Sequence, residues 1–263
     1  MVARLSATWA MTRRNLVHIS RAPMQLSDVT IQPLVFTLLF VYIFGSGIPI
    51  SGGRYVDYVL AGVLALNLVS STMGTAVGLS SDLHEGVMDR FRTLPMWRSA
   101  ILVGRSLADL LTAVLCAVIV ALTGLAVGWR PDASFASVVA GFALMLFFAY
   151  AVSWVSACMG LNAKNPETAS SLGLIILLPL TFMSNAIVPT QGMPDWLQTI
   201  TTWNPVSAVV AGTRTLWGNP NPSSTIQAWP MQHPIEAALI WSVVILAVAA
   251  PAASHFFRRK TTE

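Results

Sequence analysis

A chain of 263 residues that is 55% hydrophobic and only 10% charged, with mean hydropathy +0.67, is not an ordinary water-soluble domain. Such a domain carries about 25% charged residues. The net charge is a modest +4, from 15 Lys and Arg against 11 Asp and Glu, and nothing in its distribution points to nucleic acid as a partner. The two cysteines, Cys116 and Cys158, lie inside apolar runs and read as small apolar residues rather than a disulfide framework.

The chain opens on Leu5, Trp9, Thr12, Leu16 and Ile19 at helical spacing, with Arg4, Arg13, Arg14 and Arg21 off that stripe. This pattern predicts an amphipathic helix lying in the cytoplasmic interface, within residues 1–28 and ending near Ala22-Pro23. A cleavable signal peptide is not expected, because the start stays polar and arginine-bearing until an apolar run begins near Val29. Crossing a bilayer takes about 20 apolar residues as a helix, and six runs are that long. They span roughly Val29–Ile48, Tyr55–Leu79, Ile101–Val127, Phe135–Leu161, Ala169–Val188 and Pro234–Phe256. Pro33, Pro179 and Pro251 fall within or near the ends of these segments, where membrane helices tolerate them as kinks.

Between the second and third runs lies the most charged interior stretch, within residues 80–100. It carries Asp82, Glu85 and Asp89 with Arg90 and Arg92. Leu83, Val87, Phe91 and Leu94 form one helical stripe, Asp82 with Glu85 resembles a capping box, and Pro95 marks a stop. A short amphipathic helix on the water side must bury its stripe on lipid or on protein. The mixed charge favours protein, since a lipid-seeking helix is usually basic on its polar face.

The positive-inside rule sets the orientation. With both termini in the cytoplasm, the inner side holds Arg4, Arg13, Arg14, Arg21, Arg90, Arg92, Arg98, Arg105, Lys164, Arg258, Arg259 and Lys260. The outer side holds only Arg54, Arg130 and Arg214. The outer segment 189–233 alternates apolar clusters such as Trp196-Leu197 and Leu216-Trp217 with Pro194, Pro205 and Gly218. Short outer helices are expected there, some dipping back into the membrane, with tryptophans suited to the aromatic belt. From Asn219 to Pro234 the composition reads as a loop.

No motif for catalysis emerges. Neither Lys164 nor Lys260 follows a glycine, so the phosphate-cradling Gly-x-x-x-x-Gly-Lys loop is absent. His18, His84, His233 and His255 lack metal-binding spacing, and no nucleophile elbow appears. The polar residues inside apolar runs are more informative. Asp109 sits within the third run with Arg105 one turn earlier, an intramembrane pair by spacing. The second run carries Asn67, Ser70, Ser71, Gly74 and Gly78 on one face. These two faces either line a translocation path, with Asn67, Ser71, Arg105 and Asp109 as its residues, or simply pack, with Gly74-x-x-x-Gly78 as a small-residue motif.

Four stretches resemble the ABC-2 type transporter permeases, close to the daunorubicin/doxorubicin-resistance branch. Arg21-Ala22-Pro23 leading to Gln32-Pro33-Leu34-Val35-Phe36 and Tyr42-Ile43-Phe44-Gly45 is similar to that family's approach to its first helix. Tyr55-Val56-Asp57-Tyr58-Val59-Leu60-Ala61-Gly62 resembles the start of its second. Asp82-Leu83-His84-Glu85-Gly86 with Asp89-Arg90-Phe91-Arg92-Thr93-Leu94-Pro95, then Gly104-Arg105-Ser106-Leu107-Ala108-Asp109, is similar to its cytoplasmic loop, the most specific part of the match. Met193-Pro194-Asp195-Trp196-Leu197 and Asn204-Pro205-Val206-Ser207 resemble its outer segment. His84 departs from the polar or basic residue expected there.

The resemblance implies an all-α integral membrane protein forming a single transmembrane domain over residues 1–263. It would have six transmembrane helices, the N-terminal interfacial helix, a cytoplasmic coupling helix and short outer re-entrant helices. Glu85, Gly86, Asp89, Arg90, Phe91 and Arg92 would seat the coupling helix on a separate ABC ATPase subunit. That subunit would hold ATP and Mg, leaving no cofactor on this chain. The remaining partners implied are membrane lipid and a second permease, identical or different, in a bacterial plasma membrane. The expected function is export of amphipathic or hydrophobic compounds such as drugs, antibiotics or lipids. Export of a polysaccharide or lipid-linked glycan would leave much the same cytoplasmic loop. A proton-coupled secondary transporter working through Asp109 would instead need no ATPase.

Overall fold

A computed structural model describes residues 23–45, 47–50, 52–85 and 99–260. Among these residues the architecture is entirely helical. Helix α1 spans Pro23–Leu39 and runs on into a π-helical turn, Phe40–Phe44. Helices α2 (Tyr55–Ser71) and α3 (Met73–His84) are nearly continuous, interrupted only at Thr72. Helix α4 covers Ser99–Ala126, α5 Phe135–Asn162 and α6 Pro166–Phe182. Two shorter helices follow, α7 (Asp195–Trp203) and α8 (Pro205–Trp217), before the long α9, Pro234–Lys260.

Among the described residues, four segments are long and apolar enough to cross a membrane: Tyr55–His84, Gly104–Ala126, Phe135–Asn162 and Pro234–Phe257. Two further apolar helices, Val29–Phe44 and Pro166–Phe182, are shorter. Leu111 and Leu122 on α4, Ile175 on α6 and Val248 on α9 are exposed, as suits helices whose solvent is hydrocarbon.

The starts of the helices follow from local chemistry. Ser134 Oγ accepts from the Ser137 amide at the start of α5, and Asn165 Oδ1 accepts from Thr168 N at 2.7 Å at the start of α6. Pro166 and Pro205 occupy first-turn positions of α6 and α8, where a missing N–H costs nothing. Gly218 ends α8 with φ +65°, the left-handed conformation glycine adopts without strain.

Helix α2 is the axis of the molecule. Tyr58 to Ala65 are all buried, and α1, α4, α5, α6 and α8 pack around α2. One core joins Leu60, Leu64 and Leu68 of α2 to Val120 of α4, Phe148 of α5 and Val209 of α8. A second gathers Leu79, Trp154, Leu161 and Phe257 from α3, α5 and α9. Gly160 lets α5 approach the Ala76 carbonyl of α3, where any side chain would collide.

Several boundaries differ from the sequence expectation: the first helical run begins at Pro23 rather than Val29 and ends at Phe44 rather than Ile48, and the last continues to Lys260 rather than Phe256. The second span does not stop at Leu79: the helix continues to His84, so Asp82 lies in the last turn of α3 rather than capping a new helix. The fifth ends at Phe182, and residues 183–189 form a bent, non-helical strap although Ala186, Ile187 and Val188 are apolar. The segment read as a loop after Asn219 contains two short turns of helix, Pro222–Thr225 and Trp229–Gln232. The predicted N-terminal interfacial helix falls largely on residues 1–22, and the amphipathic cytoplasmic helix on residues 86–98. Both lie outside the described residues.

Candidate functional site

Two polar groupings stand out against the apolar bundle. The first joins α3 to α4. Thr75 Oγ1 donates to Asp109 Oδ2 at 2.7 Å, so the intramembrane acid is held across the helix interface. Arg105 donates through Nη1 to Asp82 Oδ2 at 3.2 Å and through Nη2 to the Gly74 carbonyl at 3.1 Å. The two residues read from spacing as an Arg105–Asp109 pair each find a hydrogen-bond partner on α3. A partner on the neighbouring helix ties two elements, whereas an i,i+4 pair would tie only one.

The glycines of α3 serve this arrangement. The Arg105 guanidinium lies over Gly78, where a β-carbon would collide with it, while a β-carbon at Gly74 would meet nothing within 4 Å. Gly78 is therefore a slot for a side chain rather than half of a backbone-to-backbone packing motif.

Asn67 and Ser71 do not join this network. Asn67 is buried and donates to the Val63 carbonyl of its own helix at 2.8 Å. Ser71 bonds Leu68 O at 2.8 Å and, with Ser70 and Gly74, is exposed along a largely buried stretch. Just below, Thr72 and Ser156 share a buried hydroxyl–hydroxyl bond of 2.9 Å at the break between α2 and α3. Glu85 follows α3 in a turn and accepts from Ser81 Oγ at 2.7 Å. Gly86, Asp89, Arg90, Phe91 and Arg92 lie outside the described residues.

The second grouping went unnoticed in the sequence and surrounds the strap after α6. Arg214 of α8 is fully buried, yet among the described residues no carboxylate lies within ion-pair distance. Its Nε donates to the Tyr58 carbonyl of α2 at 2.8 Å and its Nη2 to the Ala186 carbonyl of the strap at 3.0 Å. Its Cζ sits 3.5 Å from the centroid of the Tyr58 ring, a cation–π contact. The strap is held on both sides of this point. Tyr58 donates its hydroxyl to Asn185 O at 2.7 Å, Tyr55 to Ile187 O at 3.1 Å, and Asn185 N donates to Ser207 Oγ of α8 at 3.0 Å. Gly62 completes the fit, because any side chain there would strike the Ala186 carbonyl. One signal could have found Arg214: a lone arginine within the largely apolar run from Val206 to Trp217.

Around these groups α2, the α4–α5 loop and α8 are tied together. Asp57 accepts from Arg54 Nε at 2.9 Å and from the Arg130 amide at 3.2 Å, and Arg54 also reaches Gly128 O at 2.7 Å. Trp129 donates its indole N–H to Asn219 Oδ1 at 3.0 Å and stacks at a tilt on Trp217.

Neither grouping has the convergent nucleophile, base and oxyanion donors that a reaction needs. What they offer is rigid polar wiring between helices of a membrane bundle.

Known proteins supply the class. A family profile describing the ABC-2 type transporter matches residues 6–216. The chain is 36% identical over 256 residues to the daunorubicin resistance ABC transporter permease protein DrrB1 of Streptomyces coeruleorubidus, covering 97% of this chain and 87% of that protein. It is 20% identical over 259 residues to a Mycobacterium tuberculosis protein named "Probable doxorubicin resistance ABC transporter permease protein DrrC", covering 98% and 90%. Similarity to the Escherichia coli protein named "Probable multidrug ABC transporter permease YbhR" is 24% over 211 residues, covering 78% of this chain and 54% of that one. The chain belongs to the ABC-2 type transporter family, as a membrane permease subunit whose ATP hydrolysis takes place on a separate subunit.

Proposed function

We propose that this permease exports amphipathic or hydrophobic compounds, of the daunorubicin or doxorubicin kind or lipids, across a bacterial plasma membrane. The observation that carries this reading is the 36% identity with a daunorubicin resistance permease along 97% of the chain. The whole chain serves as one transmembrane domain, crossing six times with both termini in the cytoplasm. The two shorter apolar helices, Val29–Phe44 and Pro166–Phe182, complete the six. A cytoplasmic coupling loop, 80–100, docks on the ATPase through Glu85, Gly86, Asp89, Arg90, Phe91 and Arg92, and ATP and Mg are bound there, on the partner. A second permease, a further copy or a sister chain, completes the path. Ser71 faces that path from α2, with Asn67 buried one turn before it, a placement supported by the exposed Ser70, Ser71 and Gly74 within a largely buried stretch. Arg105 and Asp109 set the angle between α3 and α4 beside it.

The test is drug export by vesicles containing this chain and an ABC ATPase subunit that co-purifies with it. ATP-dependent extrusion of daunorubicin that survives collapse of the pH gradient is expected. Extrusion that follows the pH gradient and ignores the ATPase would replace this reading with secondary transport.

A further inference from the structure

We propose that Arg214 is a positioning residue for export, the latch that holds the 183–189 strap against α2 and closes the outer end of the path. The proposal rests on the orientation given above, with 189–233 on the outer side.

The geometry is that of a three-way knot. One guanidinium spans two carbonyls on separate elements, Tyr58 O on α2 and Ala186 O on the strap, while its own backbone belongs to α8. Removing Arg214 leaves both acceptors without this donor and cuts the direct tie between α8 and α2. Of the neighbouring bonds, Tyr55 holds Ile187 to α2 alone, while Asn185 meets Tyr58 of α2 and Ser207 of α8 through its own backbone. Among these, Arg214 is the one side chain of α8 that itself bonds both α2 and the strap. Tyr58 lies nine residues before Asn67 on the same helix, about 14 Å at 1.5 Å per residue. The latch therefore acts on the outer end of the helix that carries the proposed path residues.

The chemistry suits a latch better than a permanent strut. A buried cation without a carboxylate loses its hydration and recovers only part of that loss from carbonyl dipoles and a ring face. Its Nη1 has no hydrogen-bond partner among the described residues. A fixed joint would be served at lower cost by neutral groups. An arginine that sheds its bonds when water reaches it is instead stable in two places, buried when the strap is closed and hydrated when the strap lifts. Such a two-state element is what an ATPase stroke can bias.

The experiment places single cysteines at Ile187, partly buried in the strap, or at Gln191, exposed just beyond it, in a background lacking Cys116 and Cys158. Each is paired with wild-type Arg214, Arg214→Met or Arg214→Lys. A membrane-impermeant maleimide is applied to intact cells co-expressing the ATPase. Position 191 should label fully in every protein. Position 187 should label slowly in the wild type, faster when the ATPase turns over, and about tenfold faster in Arg214→Met whether or not ATP is hydrolysed. A tenfold gain in opening corresponds to ~1.4 kcal/mol. Arg214→Lys, which keeps the charge but lacks the planar guanidinium that spans the two carbonyls and lies over the Tyr58 ring, should fall between.

Equal labelling of position 187 in wild type and Arg214→Met, with position 191 fully labelled, overturns the latch and leaves the orientation standing. Silence at both positions reverses the orientation, and the latch falls with it. Wild-type labelling at position 187 that ignores ATP hydrolysis overturns the moving latch. Loss of both Arg214 variants from the membrane makes Arg214 a folding residue and overturns the proposal.

Discussion

At the scale of single residues, the pair Gly74 and Gly78 separates two accounts of why α3 carries glycine. A small-residue packing motif would make both positions sensitive, since each would let a neighbouring helix approach. The geometry distinguishes them: Gly78 lies under the Arg105 guanidinium, and Gly74 faces open space. Gly78→Ala should displace Arg105 from Asp82 and from the Gly74 carbonyl, costing on the order of 1–2 kcal/mol. Gly74→Ala should be neutral or stabilise by up to about 1 kcal/mol, because alanine lowers the entropic cost of helix formation. Thermal unfolding of the detergent-purified permease checks both. Equal damage at the two positions would mean that another chain covers Gly74. The sequence made Arg105 and Asp109 visible as costly charges in an apolar run. It could not show their partners, because spacing reveals neighbours on one helix and not the helix packed beside it.

Among elements, the long helices were legible and the strap was not. The expected ends of the third and fourth spans lie within two residues of α4 and α5, because twenty-odd apolar residues bounded by polar turns leave little choice. Asp82 misled the reading of the second span, since an acid after an apolar run looks like a cap, whereas here Arg105 receives it inside the helix. The strap misled the reading of the fifth. Apolar side chains continue to Val188, but the backbone carbonyls of Asn185, Ala186 and Ile187 are taken by Tyr58, Arg214 and Tyr55 rather than by a helical ladder. Composition records burial and not the source of the hydrogen bonds. Asn204 makes the same join from the other side: its Oδ1 caps α8 at Val206 N, 2.8 Å, and its Nδ2 serves the Leu180 and Met183 carbonyls at the end of α6, both 2.7 Å. Asn204→Ala should cost about 3 kcal/mol, one for the cap and about one for each carbonyl bond. Asn204→Ser keeps the cap and should recover about 1 kcal/mol of that loss. Asn204→Asp keeps the cap too, yet sets a negative charge against two carbonyls and should recover nothing. Unfolding midpoints of the three variants test this order, and an Asp variant as stable as the wild type would remove the cross-element role.

For the whole molecule, direction across the membrane and coupling to ATP are linked, because a coupling loop must face the compartment that holds the ATPase. The basic residues predict that side, and exposed positions of the described fold allow a direct check. A cysteine at Glu167, exposed in the first turn of α6, should be shielded from an impermeant thiol reagent in intact cells, and one at Ser224 should react. The reverse pattern would place the 80–100 loop outside, where no ATPase could reach it. With that direction in place, the energetic question is how the ATPase stroke enters this chain. Leu83 of the expected stripe belongs to α3 and packs against the second core, so Val87, Phe91 and Leu94 are what need a protein groove, and Phe91 with Arg90 supplies the residue types that dominate interfaces, at least about 2 kcal/mol each when truncated. A loss of about 2 kcal/mol weakens association some 30-fold. Phe91→Ala should therefore reach the membrane at normal level, lose most co-purifying ATPase and cease to export. Arg90→Ala should lose less, with a deficit that is largest at low salt and shrinks at high salt, where the exposed charge pair it removes is already screened. Had the stripe rested on lipid headgroups instead, both variants would keep the ATPase bound and export at the wild-type rate. Co-purification in low and high salt, read beside export, separates the two outcomes and decides whether the force that lifts the Arg214 latch enters through residues 80–100.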